Sequence, residues 1–410
     1  MAVSRPKAPK RSSTQTPKDA ITRLLTRNVV DVIVRESLEK KLGSRKKLRV
    51  KLGADPTAPD LHLGHAVLLW KLREFQELGH TVVLIIGDAT GRIGDPSGRS
   101  KVRPQLSARE LTRNAKTYLR QVGRVLDTKR QIEIRRNSEW FSRMSFLDLL
   151  DLATQFQVAR LTEREDFRAR LRAGRDLSLH ELLYPLLQAF DSIAVRADVE
   201  IGGTDQLFNM LAGRDLQRKL GDPEQDVMTL PLLVGTDGKE KMSKSLGNVV
   251  GIASSPTEMF GKLMAIPDAA IADYARLAAL WDTQELSVLE RRLHSTENPR
   301  DVKADIAGAV VSRYHGSGAA RRARAEFTRV VEHRELPADI PTRAVRAGPW
   351  DIGELLVALG LAPSKSAARR LVAQGGVRHN AAVLASTATS VTITAGDLLR
   401  VGKRRIVKVV

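Results

Sequence analysis

The chain has 410 residues, with 67 Lys and Arg against 47 Asp and Glu, a net charge of +20, 42% hydrophobic residues and no cysteine. Length and apolar content fit two or three globular domains, while the missing thiols exclude disulfide frameworks, thiolate zinc sites and cysteine nucleophiles and fit a reducing compartment, the cytoplasm. No apolar run approaches the ~18 residues of a membrane helix, and the positive balance points to a polyanionic partner, nucleic acid first, or to a generally basic surface.

The first 18 residues hold Arg5, Lys7, Lys10, Arg11 and Lys18 without an acid, interleaved with Pro6, Pro9 and Pro17. Residues 1–20 therefore read as a disordered basic tail. A transit peptide shares the composition, but prolines spoil the amphipathic helix it needs. From residue 46 the pattern turns regular: Leu48, Val50 and Leu52 alternate, Leu68, Leu72 and Phe75 follow with helical spacing, and Thr81–Ile86 predicts a strand buried on both faces. Ile132 and Ile134, Val199 and Ile201, and residues 227–234 supply further strands. The expected fold class is α/β, with a doubly wound, Rossmann-like parallel-sheet catalytic domain over 21–250.

Residues 251–340 change to an Ala-, Leu- and Arg-rich helical pattern, which predicts an α-helical domain. A linker punctuated by Pro and Gly runs from 336 to 349. In the last stretch, 349–410, Ile352, Leu355, Leu356 and Leu359 fit one helix face, 364–374 is a second helix stopped by Gly375 and Gly376, and short strands follow. This small α+β module carries nine Lys and Arg against Asp351, Glu354 and Asp397.

Two segments carry chemistry. His62-Leu63-Gly64-His65 follows a turn, residues 55–61, rich in helix starters. Two imidazoles three apart share one side of a helix start, Gly64 clears space for a flat ring, and the helix N-terminus supplies donors for phosphate oxygens. Surface histidines at a helix cap, or a zinc pair with no third ligand in view, are the alternatives. About 180 residues later comes Lys241-Met242-Ser243-Lys244-Ser245, a Gly-flanked polar loop after the last strand of the α/β region. Its two lysines can close on a triphosphate and offset charge as pyrophosphate departs. Between them, Tyr184, Gln188 and Asp191 fall at i, i+4 and i+7 of one helix. A buried carboxylate there accepts from a phenolic hydroxyl, and phenylalanine would leave it unpaired.

The sequence resembles the class I aminoacyl-tRNA synthetases, and among them the bacterial-type tyrosyl enzymes. The resemblance spans roughly residue 25 to the end and rests on residues 53–58, 62–65, 87–96 (Gly-Asp-Ala-Thr-Gly-Arg-Ile-Gly-Asp-Pro), 184–191 (Tyr-Pro-Leu-Leu-Gln-Ala-Phe-Asp), 202–206 (Gly-Gly-Thr-Asp-Gln) and 241–245. The last module resembles an S4-type RNA-binding domain through 368–372 and 375–380.

The resemblance implies tyrosine activation by ATP with Mg2+, giving tyrosyl-adenylate and pyrophosphate, then transfer to the 3′ end of tRNA(Tyr). It makes His62, His65, Lys241 and Lys244 catalytic. Tyr184, Gln188 and Asp95 would meet the substrate amino group, Asp191 its hydroxyl, with Asp55 and Gln206 lining the tyrosine site. Thr57, Gly64, Gly202, Gly203 and Asp205, with Lys244, would hold ATP, Asp205 at a ribose hydroxyl. Residues 251–340 would bind the anticodon, and Lys365, Arg369, Arg370 and Arg378 would contact RNA. The family implies a homodimer and no membrane. Tryptophanyl-tRNA synthetases share the architecture but typically lack the Tyr-x3-Gln-x2-Asp helix; a non-catalytic RNA-binding paralogue would not need both lysine and histidine motifs. A small-molecule ligase or cytidylyltransferase would leave the basic terminal module without a purpose.

Two positions depart from the better-studied bacterial branch, which carries tyrosine at Lys51 and glutamine at Glu200. Lys51-Leu52-Gly53-Ala54-Asp55-Pro56 instead resembles the second bacterial branch. The two opposite charges, both beside the expected pocket, are expected to pair.

Overall fold

The computed structural model describes residues 16–97, 106–243, 246–332, 340–402 and 405–410. The chain divides into two compact units, one ending at Arg324 and one beginning at Ala325.

The first unit is built on a six-stranded sheet. Its strands are β1 (Asp31–Ile33), β2 (Arg49–Ala54), β3 (Thr81–Ile86), β4 (Ile132–Arg136), β5 (Val199–Gly203) and β6 (Asp226–Leu230), in the order β1-β6-β5-β2-β3-β4. From β6 to β4 all neighbours are parallel, and β1 closes the edge antiparallel to β6. The α/β parallel-sheet expectation thus describes five strands. The sixth escapes it because three residues pairing on an edge leave no periodic signal. Both faces of the sheet are covered, which is why β3 and β5 read as near-continuous buried runs.

Helix α1 (Pro17–Thr26) starts on a capping box in which Thr16 Oγ1 accepts from the Asp19 amide and Asp19 accepts from the Thr16 amide, with Pro17 preset at the first helical position. The expected basic tail to residue 20 is therefore corrected at its end. Residues 17–20 are helical because Pro17 starts a helix rather than breaking one, and 1–15 lie outside the described residues. Helix α2 (Arg35–Gly43) follows β1, and helix α3 (Leu63–Glu77) links β2 to β3, burying Leu72 and Phe75 completely. Helix α4 (Ala108–Val122) precedes β4. Four short helices, α5 (Ser138–Phe141), α6 (Phe146–Thr154), α7 (Val158–Thr162) and α8 (Glu165–Arg172), lead into α9 (Leu179–Ala194), and α10 (Leu207–Lys219) joins β5 to β6. A doubly buried ion pair, Arg170 to Glu181 at 2.6 Å, ties α8 to α9.

The helical stretch from Pro256 packs within this same unit. Trp70 Nε1 donates to the Tyr314 hydroxyl at 3.1 Å, Arg313 stacks on the Trp70 ring at 5.1 Å, and Tyr274 donates to the Val234 carbonyl at 2.9 Å.

The second unit has its own core, in which Ile352, Leu355 and Leu356 of helix Ile352–Ala358, with Leu359 at its C-cap, join Ala368 and Val372 of helix Lys365–Ala373. Both expected helices are present, and Ser364 caps the second. The expected linker is partly structured: Thr342–Arg343 pairs with Arg405–Val409, and Gly348–Asp351 with Ser390–Ile393. Such short edge pairings, one containing Pro349, carry no sequence pattern, and 333–339 lie outside the described residues.

Truncating Phe75 to alanine removes a fully buried ring from under the sheet; unfolding in urea is expected to show a loss of about 3–5 kcal/mol.

Candidate active site

The strand order reverses between β2 and β5, where the connections leave in opposite directions. Ligand clefts of open α/β sheets form at that point, beyond the carboxyl ends of the strands. A cavity of about 530 Å³ opens there, between the ends of β2, β3 and β5, the start of α3, one face of α9, and the loop reaching Ser243.

His62 is the N-cap of α3. Its amide donates to His65 Nδ1 at 3.3 Å, and the two rings lie 3.8 Å apart by centroids, so they share one side of the helix start. Gly64 lies between them at the cavity wall. The later loop is tied to the same place: the Leu63 amide donates to the Val250 carbonyl, and His62 bridges Gly251. Asn248 holds the loop base by accepting from the Ser243 amide and donating to Asp237, each at 2.7 Å. Lys241 Nζ is 2.7 Å from Asp205 Oδ2, so the residue expected at a ribose hydroxyl here faces a cation. Lys244 and Ser245 lie outside the described residues.

The spacing of Tyr184, Gln188 and Asp191 brings all three to the cavity. Tyr184 donates to Asp55 Oδ2 at 3.0 Å, and Thr90 donates to Asp55 Oδ1 at 2.7 Å. Burial first, then the Asp55 carboxylate, push the Tyr184 hydroxyl well above its usual range, so it remains a donor. Gln188 Nε2 donates to Glu200 Oε1 at 3.1 Å. Asp191 is buried and accepts from Trp140 Nε1 at 2.9 Å and from Asn137 Nδ2 at 3.4 Å. Desolvation pushes its carboxyl up to about 7, against the pull of Lys51 and of those two donors. Gln206 Nε2 donates to Asp95 Oδ2 at 2.8 Å, and Asn209 in turn donates to Gln206 Oε1. Thr57, Gly202 and Gly203 line the same cavity.

Sequence reasoning missed Asn137 and Trp140, which lie some 50 residues from the carboxylate they hold and belong to no motif. It also passed over Thr90, although that residue sits within a quoted motif. The pairing of Lys51 with Glu200 is present at 2.9 Å, both side chains buried. Among the described residues no group of three or more His, Asp and Glu is arranged to hold a metal ion, which leaves the zinc pair at His62 and His65 without further ligands. No helix among the described residues is long and apolar enough to cross a membrane.

In the second unit, Lys365 pairs with Glu354 at 2.6 Å and Arg369 with Asp351 at 3.3 Å, both exposed. Arg370 is exposed on the same helix, and Arg378 stands opposite Arg400 in the sheet. These residues keep water-accessible charge on one small module.

Residues 43–332 match the model of the tRNA synthetases class I (W and Y). The chain belongs to this family. It is 48% identical to the Tyrosine--tRNA ligase of Thermotoga maritima, across 96% of this chain and 98% of that one, and 45% identical to the Tyrosine--tRNA ligase of Moorella thermoacetica, across 94% of each. Its fold is similar to that of the tyrosyl-tRNA synthetase of Archaeoglobus fulgidus complexed with L-tyrosine, with a TM-score of 0.63 at 24% identity, covering 75% of this chain and 100% of that one. The C-terminally truncated mitochondrial tyrosyl-tRNA synthetase of Aspergillus nidulans gives a TM-score of 0.62 at 22% identity, covering 77% and 94%. In this class I synthetase His62, Gly64 and His65 thus share the cavity at the strand reversal with Lys241, Met242 and Ser243.

The closest backbone approach in the cavity is at Gly87, where a Cβ would come within 1.9 Å of Asp55 Oδ1 and 2.5 Å of Thr90 Oγ1. Gly87→Ala is expected to push Asp55 off Tyr184, and to lower amino-acid-dependent ATP/pyrophosphate exchange by about tenfold or more, since misplacement of about 1 Å is enough for such losses.

Proposed function

We infer that this synthetase activates L-tyrosine with ATP and transfers the tyrosyl group to the 3′ end of tRNA(Tyr). The observation that carries the reading is Asp191, a buried carboxylate at the cavity wall, held by Trp140 and Asn137 on the helix face that also presents Tyr184 and Gln188. A phenolic hydroxyl satisfies that acceptor, and phenylalanine leaves a desolvated polar group unpaired.

In the first step the tyrosine carboxylate oxygen attacks the α-phosphorus of ATP, and the bond to the bridging oxygen breaks to release pyrophosphate. The phosphoryl chemistry needs no covalent nucleophile from the protein, so catalysis is positioning and charge stabilisation. Tyr184, Gln188 and Asp95 hold the ammonium group. Asp55 acts through its bond to Tyr184, and Gln206 through Asp95. The nucleotide passes the backbone at Gly202, which lines the cavity and packs too closely on Met210 to carry a side chain, since a Cβ there would meet Met210 Sδ at 2.8 Å. Gly64, Thr57 and Gly203 line its path, and Asp205 takes a ribose hydroxyl once Lys241 turns to phosphate. His62, His65, Lys241 and Lys244 strengthen their contacts as charge moves to the leaving group. Mg2+ arrives on the triphosphate, which supplies the hard oxygen ligands it needs. In the second step a 3′-terminal ribose hydroxyl attacks the tyrosyl carbonyl and AMP leaves.

The helical stretch from 251 to 340 serves the anticodon, and Lys365, Arg369, Arg370 and Arg378 of the S4-like module contact the RNA backbone, consistent with the chain's net charge of +20. Two copies act together: Phe146, Leu147, Leu150, Val158, Leu171 and Leu179 leave large apolar side chains in water on consecutive helices, as a homodimer face does. The reaction takes place in the cytoplasm, where tRNA is charged.

Exchange of ATP with pyrophosphate across the twenty amino acids, followed by tRNA charging, tests the reading. Tyrosine alone is expected to support both, and activity with tryptophan only, or with nothing, overturns it. Lys244→Ala is expected to cut the activation rate by about a hundredfold or more with tyrosine affinity nearly unchanged, the scale for one preorganised donor. A sizing measurement is expected to give twice the 45.2 kDa of one chain.

A further inference from the structure

Lys51 and Glu200 form a polar cluster that joins the wall of the tyrosine site to the strands behind it and to which the proposed reaction gives no part. Lys51, on β2, is fully buried and does not itself line the cavity. Its ammonium group donates to the Gln188 carbonyl at 2.9 Å and to Ser192 Oγ at 2.7 Å, and pairs with Glu200 at 2.9 Å. Glu200, on β5, accepts in addition from Gln188 Nε2 at 3.1 Å, Ser192 Oγ at 3.1 Å and Gln225 Nε2 at 2.6 Å. The cluster therefore clamps α9 at Gln188 and Ser192, on either side of Asp191, and it straddles the strand pair at which the sheet order reverses, where Lys51 and Glu200 stand opposite in register.

A fully buried ion pair is costly to desolvate, and a neutral pair of similar size would cost less. Its position explains what the charge does. Asp191 is buried, and as a carboxylate it is the stronger acceptor for the substrate hydroxyl. The groups facing it are Lys51 from β2, Asp55 from the loop after β2, Trp140 and Asn137 from the α5 region, and Tyr184 from its own helix. Lys51 is the one cation among them. Trp140 and Asn137 are neutral donors, and Asp55 opposes ionisation.

We propose that Lys51 and Glu200 are positioning residues of the tyrosine site, Lys51 keeping Asp191 ionised from behind the pocket wall and Glu200 neutralising Lys51 while fixing the Gln188 carboxamide. The pair is thus a specificity device, because the phenol's hydrogen bond to an ionised Asp191 is stronger than to the neutral acid, so protonation narrows the preference for tyrosine over phenylalanine. This rests on the proposed tyrosine activation.

The test is the pH dependence of kcat/KM for tyrosine in ATP/pyrophosphate exchange from pH 6 to 9, on the full chain. The wild type is expected to lose tyrosine kcat/KM as pH falls through the Asp191 limb near 7. Lys51→Met/Glu200→Gln removes both charges without leaving either alone. It is expected to move that limb up by about one pH unit, to raise the tyrosine KM about fivefold at pH 7 and nearly tenfold at pH 6 with kcat less affected, and to narrow tyrosine-over-phenylalanine discrimination, a unit of pKa being a tenfold change in the protonation ratio. Lys51→Gln/Glu200→Gln, which keeps hydrogen-bonding groups at both positions without either charge, is expected to move the limb the same way and decides the matter if the first double variant does not fold. A limb unmoved in a folded charge-free variant with only its melting temperature lowered, or a wild type with no limb, overturns the proposal. Failure of the tyrosine reading itself looks different: the wild type then shows no tyrosine-dependent exchange at any pH.

Discussion

Everything in the catalytic unit depends on the reversal of strand order between β2 and β5. Each parallel connection must return over the sheet, and where two successive returns go to opposite sides no helix covers the gap. The gap lies at the carboxyl ends of the strands, and the chain puts its chemistry on the first residues after those ends: Asp55 after β2, Gly87 after β3, Asp205 after β5. Helix α3 then begins at His62, with His62, Gly64 and His65 lining the same space. The site is therefore assembled from segments far apart in sequence, brought to one edge by the pairing of the strands.

Within that gap the side chains are held before substrate arrives. Asp55 is fastened by Tyr184 and Thr90, Thr90 also accepts from Asn137, and Asn137 donates to Asp191. One chain of contacts thus joins the loop after β2, the loop after β3, the residues after β4 and helix α9. Such a network resists the reorganisation that would otherwise cost rate during the reaction. It also limits what can change: a Cβ at Gly87 would strike both Asp55 and Thr90.

How much of this was legible in the sequence follows from the range of each signal. Strands buried on both faces, such as Thr81–Ile86, and helices with a single apolar face, such as the one carrying Leu355, Leu356 and Leu359, announce themselves through local periodicity. The helix spacing of Tyr184, Gln188 and Asp191 correctly gathers three residues at one cavity. Edge pairings of two or three residues, as in β1 or Thr342–Arg343, are decided by the partner strand and leave no local trace. Asn137 and Trp140 were invisible for a different reason: their role is defined by Asp191, which only the fold brings near. Lys51 and Glu200 were legible as a pair only through the resemblance, which sets two opposite charges beside one pocket where each needs neutralising.

Two ion pairs in this one region show why the depth of a charge decides its use. Lys241 and Asp205 keep partial contact with water, and an ion pair of that kind contributes only about 0–1 kcal/mol. Lys241 can therefore leave Asp205 for a triphosphate, whose higher charge outbids a single carboxylate, at almost no expense to the fold. Lys51 and Glu200 have no water to turn to, and breaking one partner out of such a pair costs about 3–5 kcal/mol. That pair cannot exchange partners during a reaction cycle. Its charge is a fixed field, suited to setting the state of a neighbouring carboxylate, whereas the field of Lys241 is one that follows the substrate.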